Sequence, residues 1–466
     1  MSTSPTLPTH VEVFDTTLRD GLQVEGVSAT VEDKLRIAEQ LDFLGVHFIE
    51  GGWPGANPKD IEFFARAATE LSLTTSTMVA FGSTRRPKGK VDDDATLRNL
   101  IEAGTGAVCI VAKSWDYHVL NALQTTLEEG TAMIADSVQF LRGHDKQVLV
   151  DMEHFFDGYK RNPEFALRAL EAAIINGASH VVLCDTNGGS LPHEVEAIVS
   201  DVHRHVGTDA IIGIHCHDDT GCAVANSMAA VRAGAGHVQG TLNGLGERTG
   251  NCNLTTVIPN LQMKLGIACL PEGRLERLTS VSNHIAEVLN RPLNPQAPYV
   301  GSSAFAHKAG LHVSAIVRAK DAYEHVDPEL VGNGTRFVVS EMAGRATITI
   351  KAEELGLAMD GPAVNEVIDD LKRLEHEGYH FEAADASLEL LMRKAAGWQQ
   401  DFFRVESMRV ITDELPNGEF NTEATVKVWI GEQRFVTMAE GNGPVNAIDT
   451  AMRRCPRTIR SSPRCT

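Results

Sequence analysis

From residue 11 onward the chain alternates short apolar runs with amphipathic helical patterns, and it does so eight times. The runs are "VEVFDTT", "VHFIEGG", "TTSTMVAFG", "AVCIVAKS", "QVLVDMEHF", "HVVLCDT", "AIIGIHCH" and "HVQGTLNG". Between them lie stretches such as "VEDKLRIAEQLDFLG", "NPEFALRALEAAIINGA" and "AVANSMAAVRAGA", several closed by a glycine suited to the residue after a helix. Units of this kind place strands in a parallel sheet with helices outside it. Eight of them in about 270 residues match a closed (β/α)₈ TIM barrel better than an open doubly wound sheet. The phosphate-binding GxGxxG fingerprint is also absent, because "GLGERTG" has the wrong spacing.

The rhythm predicts an N-terminal tail over 1–10 and a catalytic barrel over 11–270. The Pro- and Gly-rich "RPLNPQAPYVGSSAF" opens a linker and helical subdomains over 271–400. From 401 to 466 a third composition begins, with "FFRVESMRVITDE", "TEATVKVWI" and "QRFVTMAEG" as strands and "PVNAIDTAMRR" as a helix. The fold class expected is therefore α/β, a TIM barrel followed by a helical subdomain and a partial α+β domain.

Charge narrows the partners. Lys and Arg total 42 against 62 Asp and Glu, a net −20 that opposes a phosphate backbone, so no nucleic-acid partner is expected. No uncharged apolar run reaches the roughly 20 residues of a membrane helix, and the N-terminus carries no basic-then-apolar signal. A cytoplasmic protein with no membrane partner is expected. The eight cysteines form no CxxC pair and read as reduced, structural thiols.

Active sites of this fold gather where the strands end. Those ends carry Arg19 and Asp20 after the first strand, Glu153 on the fifth, Asp185 and Thr186 on the sixth, and His215 and His217 on the seventh. In a strand, residues i and i+2 share a face, so both imidazoles can converge on one ion while Cys216 points away. A packed histidine pair is the alternative, and Asp20 at another strand end favours a metal. Asp218 and Asp219 read better as caps and loop supports than as ligands.

The runs "DTTLRDG" (15–21), "HCHDDTG" (215–221), "NGLGERTGN" (243–251) and "AFAHKAGLH" (304–312) resemble the acyl-CoA condensing branch of the DRE-TIM metallolyase superfamily. That branch includes 2-isopropylmalate, homocitrate and citramalate synthases. Within it, "EGGWPGANPKD", "AFGSTRRPKGK" and "DMEHFFDGYKRNP" most resemble the citramalate synthases. The resemblance implies a divalent metal (Zn²⁺, Mg²⁺ or Mn²⁺) on Asp20, His215 and His217, with Asn251 supporting or completing the shell. It implies Arg19 and Thr186 on a small 2-oxo acid, Glu153 and His312 as an acid-base pair, and a homodimer with shared active sites. The implied reaction is a Claisen condensation of acetyl-CoA with pyruvate, followed by thioester hydrolysis, giving citramalate for isoleucine biosynthesis. A larger 2-oxo acid, a lyase on the same metal, and an inactive metal-binding relative are the alternatives. His307, five residues before His312, could equally orient a helix.

The basic "TRRPKGK" after the third strand suggests that Arg85, Arg86 and Lys88 attract the CoA phosphates, a solvated loop being the alternative. Relatives carry a regulatory domain of two βββα units. By that resemblance only one such unit is expected here, followed by the divergent "RCPRTIRSSPRCT", and no inhibition by isoleucine or leucine is expected.

Overall fold

The computed structural model describes residues 7–382, 384–398 and 402–455. Eight parallel strands close in chain order: β1 (Glu12–Asp15), β2 (Phe48–Gly52), β3 (Thr77–Ser83), β4 (Ala107–Lys113), β5 (Gln147–Glu153), β6 (His180–Asp185), β7 (Ile211–Cys216) and β8 (His237–Gly240). The barrel shuts where β8 pairs β1, with Phe14 opposite Gln239. Seven strands fall inside the eight apolar runs, and β3 runs one residue past its own, to Ser83. His217 lies one residue beyond β7, held by a bridge to Asn251.

The period of two sorts each strand into an outer and an inner set. Val13, Ile49, Ala80, Val108, Val150, Leu183, Ile214 and Val238 point outward into the shared core with the helices. Inward, Phe14, Phe48, Val79, Phe81, Ala107, Cys109 and Leu149 form an apolar belt. Polar residues occupy the inner positions at both ends: Glu12, His180 and His237 where β1, β6 and β8 begin, and Glu50, Asp151, His215 and Gln239 nearer the strand ends.

Local signals fix where helices start and stop. Thr30 caps the helix Val31–Leu44 by accepting from Asp33 N–H, and the Asp33 carboxylate accepts from Thr30 N–H in return. Gly45 ends that helix at φ 97°, and a Cβ there would stand 2.7 Å from Pro271 Cδ.

The expected boundary at 270 is displaced. Leu278, Val281, Ile285, Tyr299, Phe305 and Val331 join the same hydrophobic cluster as the barrel, and the chain divides into compact units at Val338 and Val339 instead. A Pro-rich stretch marks irregular backbone, and it does not prevent the flanking apolar residues from packing on the barrel. In the second unit, helices Arg345–Glu354, Gly361–His376 and Asp385–Ala395 enclose Ile348, Val367, Leu371, Leu388 and Met392. Strands Arg404–Glu414, Phe420–Ile430 and Gln433–Gly441 form an antiparallel sheet. Val426, Val428 and Ala439 on one face of that sheet pack with Ala451, on the helix Pro444–Arg453, and with Cys455 just beyond it. The departing residues 456–466 lie outside the described residues. Among the described residues, no helix is long and apolar enough to cross a membrane.

Candidate active site and metal centre

The loop after β1 is pinned by its own first residue. Buried Asp15 accepts from Thr17 N–H at 2.8 Å and from Leu242 N–H at 3.1 Å, tying "DTTLRDG" to the end of β8. This turns Arg19 and Asp20 over the barrel mouth. Arg19 Nε donates to Glu50 Oε2 at 2.7 Å, and its guanidinium lies 3.9 Å over the Phe81 ring. Burial opposes the Arg19 charge, yet the Glu50 and Asp20 carboxylates outweigh it and hold the guanidinium above its ordinary pKa.

His215 Nε2 and His217 Nε2 lie 3.3 Å apart, with Asp20 Oδ2 at 3.6 and 3.9 Å from them. All three ligand atoms fall within 4.8 Å of one another. Gln239 Nε2 donates to Asp151 Oδ1 at 3.0 Å, so its Oε1, 2.8 Å from His215 Nδ1, accepts from that nitrogen. This leaves the His215 Nε2 lone pair facing Asp20 and His217, the tautomer that a metal ligand needs. Asn251 Nδ2 donates to Asp20 Oδ1 at 3.2 Å, while its Oδ1 is buried without a partner.

Burial and the neighbouring His215 bring His217 down to about 4. Burial resists ionisation of Asp20, but Arg19 and the two histidines hold it at about 2. A carboxylate, two imidazoles and an unpartnered amide oxygen make a donor set that fits a divalent ion.

Beside this cluster opens a cavity of about 220 Å³ lined by Arg19, Asp20, Glu153, Thr186, His215 and His217, with Trp53, Phe81, Val111 and Cys184 as its less polar wall. Glu153, at the end of β5, is ion-paired with Lys113 at the end of β4. The next residue, His154, sits in the left-handed region at φ 53°, and its N–H donates to Thr186 Oγ1 at 2.9 Å. Asp185 turns away to accept from Ser190. Asp218 accepts from Ala223 N–H at 2.9 Å, at the start of the helix Ala223–Arg232, and Asp219 pairs with Arg248 at 2.8 Å.

The other candidate residues lie outside this cavity wall. Arg85 is buried and ion-paired with Glu129 and Asp136 at 2.7 Å each, so its charge is already neutralised and it is not available to a phosphate. Arg86 stays exposed on that loop. His312 is exposed in the helix Gly310–Arg318, stacked 4.2 Å from Tyr323, and is not part of this chain's cavity wall. His307 faces Glu324 at 3.4 Å.

Sequence reasoning missed Glu50, Lys113, Asp151 and Gln239. The signal was present for three of them: Glu50, Asp151 and Gln239 are polar residues at inward positions of otherwise apolar strands, the phase shared with Phe48, Leu149 and His237. Lys113 gave none, because a lysine at a strand end is ordinarily solvated.

Residues 10–285 match the HMGL-like family, 299–379 the homocitrate synthase post-HMGL domain-like family, and 382–459 the LeuA allosteric (dimerisation) domain. An (R)-citramalate synthase of Streptomyces coelicolor is 53% identical over 97% of this chain and 85% of its own. One of Aquifex aeolicus is 51% identical over 95% and 84%. A 2-isopropylmalate synthase of Sulfolobus acidocaldarius is 34% identical over 81% and 94%. Among solved structures, an HMG-CoA lyase of Bacillus subtilis matches the fold with a TM-score of 0.53 at 23% identity, covering 62% of this chain and 97% of that one.

Proposed function

The chain belongs to the HMGL-like family, within its citramalate synthase group, and from that premise we infer that it condenses acetyl-CoA with pyruvate and hydrolyses the thioester, giving citramalate and CoA. Citramalate is the entry to isoleucine through 2-oxobutyrate. The observation that carries this reading is the convergence of Arg19, Asp20, Glu153, Thr186, His215 and His217 on one small cavity.

A divalent ion, Zn²⁺, Mg²⁺ or Mn²⁺, on Asp20, His215 and His217, with Asn251 beside it, would polarise the keto group of the 2-oxo acid. Arg19, fixed by Glu50 through Nε, keeps further N–H donors for the oxygen on which negative charge develops. The Thr186 hydroxyl accepts from His154 N–H, which leaves its own proton to give to the substrate carboxylate. Trp53 and Phe81, 5.4 Å apart edge to face, narrow the wall and favour the methyl of pyruvate over a branched chain.

Enolate formation needs a base at the acetyl methyl and an acid-base group at the new alcohol. Glu153, beside the cavity and held by Lys113, supplies one member of that pair. His312 supplies the other to the site of a second copy, because it is exposed at the surface of its own chain. A homodimer follows from this reading, and the match to the LeuA dimerisation domain supports it. Arg86 meets the CoA phosphates.

The test is CoA release from acetyl-CoA with pyruvate, 2-oxobutyrate, 2-oxoisovalerate and 2-oxoglutarate, each with and without chelator. Pyruvate should give the highest kcat/KM, lost on chelation and restored by a divalent ion. Preference for 2-oxoisovalerate or 2-oxoglutarate would overturn the assignment.

A further inference from the structure

At the amino-terminal end of the barrel, below the apolar belt, the inner face carries a second polar layer. Glu12 opens β1, His180 opens β6 and His237 opens β8, so three strands bring three metal-ligating side chains to one level. His180 Nε2 lies 2.7 Å and His237 Nδ1 3.4 Å from the same oxygen, Glu12 Oε2. The three ligand atoms fall within 4.8 Å of one another.

Hydrogen bonding alone leaves this layer incomplete. His237 is fully buried, and its Nδ1 lies 3.4 Å from Glu12 Oε2, too long for a good hydrogen bond and wide enough for an ion bound to both. The neighbouring strand has made room for the ring: a Cβ on Gly213 would stand 2.9 Å from His237 Cδ2. Ser179 Oγ, 2.9 Å from His180 Nδ1, orients the other imidazole, the outer support that metal-ligating histidines carry. Phe14 and Phe48 lie 5.4–5.8 Å from the two imidazoles and belong to the apolar belt that lies between this layer and Arg19. The Glu12 side chain is 23% exposed, which gives access from solvent. Condensation chemistry at the other end of the strands uses none of these groups.

We propose that Glu12, His180 and His237 bind a second divalent ion of the zinc class, independent of the one at Asp20, His215 and His217. Two imidazoles and one carboxylate suit Zn²⁺ or Co²⁺ better than Mg²⁺ or Ca²⁺, and the open side at Glu12 leaves a position for water. The ion is structural. It ties β1 to β8, the seam where the barrel closes, and to β6 across the interior.

The experiment strips tag-free protein with chelator, refills it with Zn²⁺ or Co²⁺, removes excess by gel filtration and counts metal per chain. Wild type should hold two equivalents. Glu12→Gln should hold one with kcat unchanged, and His215→Ala should also hold one, which the further change Glu12→Gln removes. With Co²⁺, the absorption bands kept by His215→Ala should differ from those kept by Glu12→Gln. A single equivalent in wild type would overturn the proposal, as would two equivalents surviving in Glu12→Gln, and the wild-type count stands whether or not the variants fold. Because the readout is metal rather than turnover, failure here leaves the citramalate synthase assignment standing, and wrong substrate preference leaves the second site standing.

Discussion

Gln239 decides which nitrogen His215 can offer. Its oxygen accepts from Nδ1 because its amide donates to Asp151, and that leaves Nε2 for an ion. Replacing it with Leu removes the tautomer lock without touching a ligand. Gln239→Leu should weaken metal affinity about 10–100-fold, measured by competition with a chromogenic chelator. Arg85 and Arg86 adjoin in sequence but differ in environment. Arg85→Ala breaks two ion pairs at a buried guanidinium but leaves partly exposed carboxylates, and should lower the urea midpoint by the equivalent of about 1–2 kcal/mol. Arg86→Glu should raise the KM for acetyl-CoA at low salt and leave the melting temperature in place. A melting temperature unmoved by Arg85→Ala would contradict the ion-paired geometry.

Strands and helices carry constraints that single residues do not show. The helix Val31–Leu44 ends at Gly45, where a side chain would need both a left-handed backbone and space already filled by Pro271. Gly45→Ala should therefore destabilise the barrel by about 1–3 kcal/mol in chemical denaturation, against little or no loss for Gly143→Ala, where the backbone is helical and the space around the glycine is open. At the amino-terminal ends of the strands, burial holds His237 down to about 4, below its ordinary 6.5. In metal-free protein the unfolded chain gains a proton there from about pH 6.5 downward and the folded chain does not until about pH 4. Stability should be complete above pH 6.5 and fall between those values, by roughly 2 kcal/mol from pH 7 to pH 5 for this group. His237→Gln should flatten that part of the urea-midpoint profile, and a profile of unchanged slope would contradict the assignment.

In the proposed homodimer, His312 acts at the second copy's site. Its place outside its own cavity wall predicts that two inactive variants rescue each other. Mixed after unfolding and refolding together, Glu153→Gln and His312→Ala should regain about a quarter of wild-type activity, because half the dimers are mixed and each mixed dimer carries one intact site. No recovery with intact heterodimers would place His312 and Glu153 on the same chain's site.

The alternation of apolar runs with helical patterns determined the eight strands and their order, because a period of two and a period of 3.6 are local properties of the chain. The strand-end positions of Arg19, Asp20, Glu153, Thr186, His215 and His217 followed from that count. Tertiary structure decided what local pattern does not encode. It turned Arg85 inward because Glu129 and Asp136, far along the chain, lie across from it. It carried residues 271–338 onto the barrel core because burying Leu278, Ile285 and Val331 there outweighs any break that the prolines mark. It also set Glu12, His180 and His237 at one level, since closing a barrel brings together strands more than two hundred residues apart.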